Sequence, residues 1–231
     1  MSTTFGMFVK FPQPGRVKTR LVAAIGDANA SRLYEAFVTD LCSQFGAIAD
    51  RRVLAFSPIS LEARQYFGEL SSGRFELWPQ PDESLGDRMQ SFFETFGPDP
   101  VVLIGSDSPT LPREFVDDAL RQLDLNDVVL GPATDGGLYL IGLNGHRTSG
   151  SLQRTWPIFQ GIDWSTSRVL EQVCERLAKA EASVHLLPPW YDVDQPDDLN
   201  LLQGHLLGLQ LSSKPAIQHL PATRAVLADI K

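Results

Sequence analysis

The sequence predicts an α/β protein: one domain with a mainly parallel sheet lying between helical layers. Three observations predict it. Short apolar runs bounded by turn residues alternate with amphipathic, helix-period segments. The 231 residues, 43% apolar and 21% charged, suit a single α/β domain with a sizeable core. Polar and charged loops follow several of the apolar runs, as ligand sites do at the carboxyl ends of strands.

Taken in order, the first strand is Phe5–Val9, which runs straight into a loop holding Lys10, Pro12, Pro14, Gly15, Arg16, Lys18 and Arg20, with a helix to follow. A helix then starts near Asp27, where Leu33, Phe37, Leu41 and Phe45 recur every four residues down one face. Strands at Arg52–Phe56, Phe75–Trp78 and Val101–Ile104 are separated by helices at Leu61–Leu70 and Asp87–Phe96, and a further helix fits Arg113–Leu123. Strands follow at Val128–Leu130 and Leu138–Leu143. The step between them, through Asp135-Gly136-Gly137, is too short for a helix, so one of the two runs antiparallel or the path leaves the sheet briefly. A helix over Ser165–Ala182 carries the stripe Val169, Leu170, Val173, Cys174 and Leu177, with Ser165 as its expected cap. The last strand is Val184–Leu187, and a weaker helix pattern fits Pro196–Leu207. Strand alternating with helix implies a mostly parallel sheet covered on both faces. One domain is expected over residues 1–208, and 209–231 as an extension packing on it, polar and proline-punctuated, then weakly helical from Ala222.

Charge narrows the partners. The formal net charge is −8, which argues against an extended nucleic-acid face. Against that background, four cations in the eleven residues Lys10–Arg20 stand out. Lysine and arginine converging on a loop that leaves a strand, with backbone N–H groups freed by a tight turn, make a phosphate cradle. No stretch approaches the length of a bilayer span, and no basic segment followed by an apolar one opens the chain. Cys42 and Cys174 lie in helical patterns among apolar neighbours, as reduced core thiols do. The expectation is a cytoplasmic protein with no membrane partner.

Carboxylates stand just past two of the strands. Asp107 follows Val101–Ile104 in Gly105-Ser106-Asp107-Ser108-Pro109, and Asp192 and Asp194 follow the last strand in Tyr191-Asp192-Val193-Asp194. Asp107 alone suits a turn. With Asp192 or Asp194 it supplies the one or two hard oxygen ligands that Mg2+ or Mn2+ takes alongside substrate phosphates. Asp192 and Asp194 point the same way in an extended segment, whereas Asp197 and Asp198 suit the cap of the next helix. In Gly131–Gly137 the pair Thr134 and Asp135 stands at the mouth, and Gly136 and Gly137 let backbone approach a ligand. Two readings fit Leu85–Met89: Gly86 admits a flat base and Arg88 reaches toward phosphate or ribose, or the segment is simply a solvated helix start. The four histidines (His146, His185, His205, His219) show no metal-ligand spacing, and neither a hydrolase serine elbow nor a dinucleotide glycine fingerprint is present.

These motifs together resemble a known family. Lys10–Leu21, Leu85–Met89, Gly105–Pro109, Gly131–Gly137, Gly161–Thr166 and Asp192–Asp194 look like the bacterial DUF2064 family of the glycosyltransferase-A superfamily, over roughly residues 5 to 205. The resemblance implies the nucleotide-diphospho-sugar transferase fold, a Rossmann-like three-layer αβα sandwich. It also implies a metal-dependent transferase acting on a nucleotide-sugar, or on an NTP, and a small-molecule acceptor. On that reading Lys10, Pro12, Gly15, Lys18, Arg20, Gly86, Arg88 and Ser106 hold the nucleotide. Asp107 binds Mg2+ or Mn2+ with Asp192 or Asp194, and Thr134, Asp135, Gly136 and Gly137 face the second substrate, with Asp107, Asp135 and Lys18 the catalytic candidates. Sugar transferases of the superfamily usually carry Asp-x-Asp at the metal strand, whereas Asp107-Ser108-Pro109 looks more like the nucleotidyltransferase branch. That branch usually opens with a glycine-rich loop, where this chain has prolines. Glycosyl transfer, nucleotidyl transfer and non-catalytic nucleotide binding are the three expectations, in that order.

Overall fold

A computed structural model describes residues 2–146, 158–212 and 220–230. Seven strands form one sheet: β1 (Thr4–Lys10), β2 (Arg51–Ser57), β3 (Glu76–Pro79), β4 (Val101–Ile104), β5 (Val128–Pro132), β6 (Leu138–Leu143) and β7 (Val184–Leu186), in the order β3-β2-β1-β4-β6-β5-β7. Only β6 runs against its neighbours β4 and β5; the other pairings are parallel. The helices are α1 (Val22–Ile25), α2 (Asp27–Phe45), α3 (Leu61–Ser71), α4 (Leu85–Phe96), α5 (Arg113–Gln122), α6 (Val169–Lys179), α7 (Pro196–Leu211) and α8 (Pro221–Asp229), with a 3-10 turn at Thr19–Leu21 ahead of α1. Every strand expected from an apolar run is present, and the hairpin step resolves as β5 and an antiparallel β6. This is the Rossmann-like αβα sandwich, mostly parallel, that the sequence pattern implies.

The layers follow from residue alternation along the strands. In β2, Leu54 and Phe56 join the core under α2, α3 and α5, with Phe5, Met7, Leu41, Phe67 and Val116. Val53 and Ala55 turn to the opposite core, with Phe92, Phe96, Leu103, Ile141 and Val173 from α4, β4, β6 and α6. Such two-sided burial is why the central strands are nearly continuous apolar runs. At Gly6 a side chain would collide with the Phe92 ring, so the glycine lets α4 lie directly against β1. The outer face of α2 makes a third core with α7 and α8 through Leu33, Phe37, Leu199, Leu202 and Leu206.

Helix boundaries shift where caps decide them. Ser84 accepts from the Asp87 amide, so α4 starts at Leu85, ahead of the expected Asp87. Ser165 is not a cap: its backbone is left-handed at φ 72°, and α6 begins only at Val169 after Arg168. Gln195 and Asp198 form a reciprocal capping box on α7, which runs past residue 208 to Leu211. Residues 213–219 and 231 of the expected extension, and with them His219, lie outside the described residues.

The extension's helix α8 is held by a carboxylate from another helix. Asp40 of α2, 3% exposed, accepts from the amides of Ala222 (3.1 Å) and Thr223 (2.8 Å) at the first turn of α8. Arg32 adds an ion pair to Asp229 at 2.7 Å. Asp40 thus does the work of an N-cap and favours the helix dipole. Asp40→Ala should cost about 1–2 kcal/mol in urea unfolding and speed amide exchange selectively in 221–229. Uniform protection of α8 in the variant would refute that role.

Candidate functional site

Strand order builds the site. Strand β1 lies between β2 and β4, and its chain continues on one side to β2 and across to β4 on the other. In such a sheet the crevice opens at the carboxyl ends, where the order reverses. Registered pairing of Met7 with Ile104 brings the loops after β1 and β4 out side by side. The first carries the cations and the second carries Asp107.

The loop after β1 turns at Gly15 (φ 73°) and again at Lys18, whose backbone is left-handed at φ 47°, ψ 41°. Leu21, fully buried, anchors its far end. The left-handed turn sends Lys18 inward until its side chain is 2% exposed, while Lys10, Arg16 and Arg20 stay in solvent. The Lys18 ammonium donates to Asp107 Oδ1 and, at 2.8 Å, to Asp194 Oδ1. Burial would pull its pKa down, but the two carboxylates outweigh burial and hold it above the usual lysine value. Lys18 is therefore a cation at any working pH. Tyr34 of α2 braces the same corner: its hydroxyl accepts from the Lys10 amide and hydrogen-bonds Ser106 Oγ, both at 2.8 Å. Burial pushes the Tyr34 phenol up to about 12, so it stays protonated.

The acidic wall is assembled from two distant segments. The Val193 amide donates to the Asp107 carbonyl at 2.9 Å; across the end of β5 the Thr134 amide donates to the Trp190 carbonyl (2.9 Å) and the Trp190 amide to the Pro132 carbonyl (3.0 Å). That ladder seats Asp192 and Asp194 beside Asp107. Asp198 fixes the segment further by accepting from the amides of Asp194 and Gln195. Asp194 shares Lys18 with Asp107, whereas Asp192 accepts from the Ser108 hydroxyl. Burial first raises the Asp192 carboxyl, to about 7; Asp107 and Asp194 push the same way, and Ser108 and Lys18 oppose.

The cleft between these walls has a volume of about 530 Å³. Of the residues expected from sequence, Lys10, Lys18, Arg20, Arg88, Ser106, Asp107, Asp135, Gly137, Asp192 and Asp194 line it. Pro12, Gly15, Gly86, Thr134 and Gly136 are not among its lining residues. Gly86 corrects an expectation. The space a side chain would fill there holds the Phe159 carbonyl and the Trp164 indole, leaving no slot for a base. Gly136, at φ 90°, is likewise backed by the Ser167 backbone, and its carbonyl accepts from the Leu170 amide at 3.0 Å. Both glycines admit the chain's own 159–168 segment, which brings Trp164, Ser165 and Thr166 to the cleft wall. Asp135 Oδ1 accepts from the Gly137 amide at 2.8 Å, which fixes its carboxylate at the mouth.

Two polar lining residues, Tyr34 and Gln80, escape a sequence reading. Gln80, 3% exposed, donates to the Ala55 carbonyl and accepts from Arg88 at 3.0 Å, tying α4 to the sheet end. A glutamine between Pro79 and Pro81 at a strand end was the available signal. For Tyr34 it was an aromatic hydroxyl in a second apolar row of α2, with Val38 and Leu41.

The donor set suits a hard divalent ion. Asp107 and Asp194 converge on one cation, and such ions take one or two carboxylates, with phosphates and water completing the shell. Among the described residues, no group of three or more His, Cys, Asp or Glu side chains stands ready to hold a metal unaided.

A mostly parallel seven-stranded sheet with one reversed strand, and a cation loop facing acids at its carboxyl ends, defines a protein of the nucleotide-diphospho-sugar transferase fold class. Residues 43–166 match the family model described as an uncharacterized protein conserved in bacteria, DUF2064, and the chain belongs to that family. It is 32% identical to a provisionally assigned nucleotide-diphospho-sugar transferase from Desulfovibrio desulfuricans G20, across 99% of this chain and 95% of that one, with a TM-score of 0.84. The fold is shared with a nucleotidyl transferase from Methanothermobacter thermautotrophicus (12% identity, 89% and 98% covered, TM-score 0.57). It is also shared with a cytidylyltransferase from Leptospira borgpetersenii (10% identity, 99% and 95% covered, TM-score 0.55). No curated protein matches the sequence.

The raised Asp192 carboxyl has a signed consequence. Between about pH 4 and pH 7 the folded protein keeps a proton that the unfolded chain has released, so stability falls as pH rises through that window and levels off above it. Asp192→Asn keeps the neutral shape and removes this loss. In metal-free buffer the unfolding midpoint should therefore differ less between about pH 5 and about pH 8 in the variant than in wild type. An equal difference in both would mean that another group carries the proton.

Proposed function

We propose that the protein is a transferase acting on an activated nucleotide, moving a sugar from a nucleotide-diphospho-sugar to a small acceptor. One observation carries the reading: a single cleft is lined both by the Lys10–Arg20 cations and by Asp107, Asp192 and Asp194. Its volume of about 530 Å³ falls within the range of small-molecule sites. The 32% identical relative, provisionally assigned as a nucleotide-diphospho-sugar transferase, supports the same reading.

The roles follow from position. Lys10, Arg16 and Arg20, exposed on the β1 loop, meet the diphosphate and stabilise the charge that builds on it as the glycosyl bond breaks, usually the largest catalytic contribution. Arg88, hydrogen-bonded to Gln80, faces the ribose or phosphate from α4. Asp135 on the opposite lip, held by Gly137, receives an acceptor hydroxyl. Asp107 and Asp194 hold Mg2+ or Mn2+, which supplies Lewis-acid neutralisation of the leaving diphosphate. A cation there also lets an acidic protein accept a polyanion. Nucleotidyl transfer, with pyrophosphate released, is a second reading with an observation of its own: β4 ends in a single carboxylate, Asp107, followed by Ser108 and Pro109.

The test is product chemistry. With a panel of nucleotide-sugars and NTPs in Mg2+ or Mn2+, release of nucleoside diphosphate supports glycosyl transfer and pyrophosphate supports the second reading. Neither product, with tight nucleotide binding indifferent to metal, would leave a non-catalytic nucleotide-binding protein. Asp107→Ala should lower kcat by about 100-fold or more, the scale set by losing one preorganised charge-stabilising group. It should weaken nucleotide binding only when metal is present, and leave circular dichroism unchanged. Wild-type nucleotide affinity of Asp107→Ala in saturating Mg2+ and in Mn2+ would refute the metal bridge.

A further inference from the structure

Lys18 stands in a position unlike that of the other cations of its loop. Lys10, Arg16 and Arg20 are exposed, whereas the Lys18 ammonium lies behind Asp107 and Asp194. Those two carboxylates remain open to the cleft, with side chains 45% and 41% exposed. Lys18 also adopts a left-handed backbone, which a non-glycine residue keeps only when its surroundings hold it there. What holds it is the pair of ionic hydrogen bonds. The aromatic rings of Tyr34 and Phe37, about 6 Å away, complete the socket.

One ammonium bonded to both carboxylates occupies the space a divalent ion bound to the same oxygens would need. Lysine suits such a placeholder, because its ammonium is a compact point charge on a flexible stem and can change partners by rotating that stem. A nucleotide diphosphate entering beside Arg16 and Arg20 offers the ammonium new phosphate oxygens within reach of the same loop.

We propose that Lys18 is the built-in counter-ion of the Asp107–Asp194 pair and excludes a divalent cation until a nucleotide diphosphate draws its ammonium away, so that metal enters with the nucleotide and not before it. This rests on the reading of Asp107 and Asp194 as metal ligands. It goes beyond that reading by assigning the order of binding and the residue that imposes it.

The experiment measures Mn2+ binding, not turnover, on the full chain by calorimetry, with free Mn2+ followed by electron paramagnetic resonance. Wild type alone should bind Mn2+ weakly, and saturating UDP or GDP should tighten it at least tenfold. Lys18→Met should bind Mn2+ at least tenfold more tightly than wild type with no nucleotide present, because the Asp107–Asp194 pair is then left without its cation. Lys18→Arg, which keeps the charge, should stay weak. Lys18→Gln serves in place of the methionine variant should that one not fold, and the wild-type titrations with and without nucleotide decide the order of binding without any variant. Wild type that binds Mn2+ equally well with and without UDP or GDP, with Lys18→Met no tighter and Asp107→Ala abolishing the binding, overturns the placeholder and leaves the metal site standing. No Mn2+ binding by any form under any condition overturns the metal reading itself.

Discussion

The ion pairs of Lys18 with Asp107 and Asp194 are the interaction on which the site depends. They join the β1 loop, the end of β4 and the segment after β7 at one buried point, where the sheet has already brought the three pieces of chain side by side. Stability alone does not explain them. Removing the Lys18 ammonium from water costs about as much as its attraction to the two carboxylates returns, and apolar replacements in such positions are often neutral or stabilising. A mixed-charge cluster kept at the mouth of a cleft is better explained by binding, since the same groups meet charged ligands with their geometry already set.

Sheet order makes that meeting possible. Because β1 pairs with both β2 and β4, the loops after β1 and β4 leave the sheet as neighbours although their residues are separated by almost ninety positions. The reversed strand β6 then carries the chain back, so that the turn between β5 and β6, with Asp135, returns to the same end. Tyr34 and Gln80 lock the result. One ties helix α2 to the β1 and β4 loops, and the other ties α4 to β2. Both are buried polar groups with their partners satisfied, the condition under which such groups sharpen a structure and do not weaken it.

Most of the fold was legible in the sequence because burial writes it there. A strand covered on both faces must be apolar throughout, so Val101–Ile104 and its counterparts stand out without any tertiary knowledge. The cation loop was legible for a related reason: charges concentrated against an opposite background need an external cause. What was not legible depends on contacts between distant segments. Gly86 and Gly136 signal close approach, but not that the approaching group is the chain itself at 159–168. Ser165 has the chemistry of a cap, yet the segment's path over Gly136 gives it a left-handed backbone and delays α6 to Val169. Asp192 and Asp194 are alike in sequence. Only the neighbours, Ser108 for one and Lys18 for the other, separate a carboxyl poised near neutrality from a member of an ion pair.

The two walls of the cleft differ in how they are made, and the difference bears on which of them moves. The acids come from separate parts of the chain and are fixed by the sheet itself: the Val193–Asp107 hydrogen bond and the ladder through Thr134 and Trp190 are continuous with β4 and β5. Displacing them means breaking strand-end pairing, which belongs to the most stable part of a fold. The cations come from one surface loop, turned by Gly15 and a left-handed Lys18 and tied down at buried Val17, Lys18 and Leu21. A loop with so few buried anchors opens at lower cost than a sheet. A ligand that changes the charge balance of the cleft will therefore find the acids waiting in place and the cations free to adjust. The rigid half of the site belongs to the fold, and the responsive half is local in the sequence, where it could be recognised first.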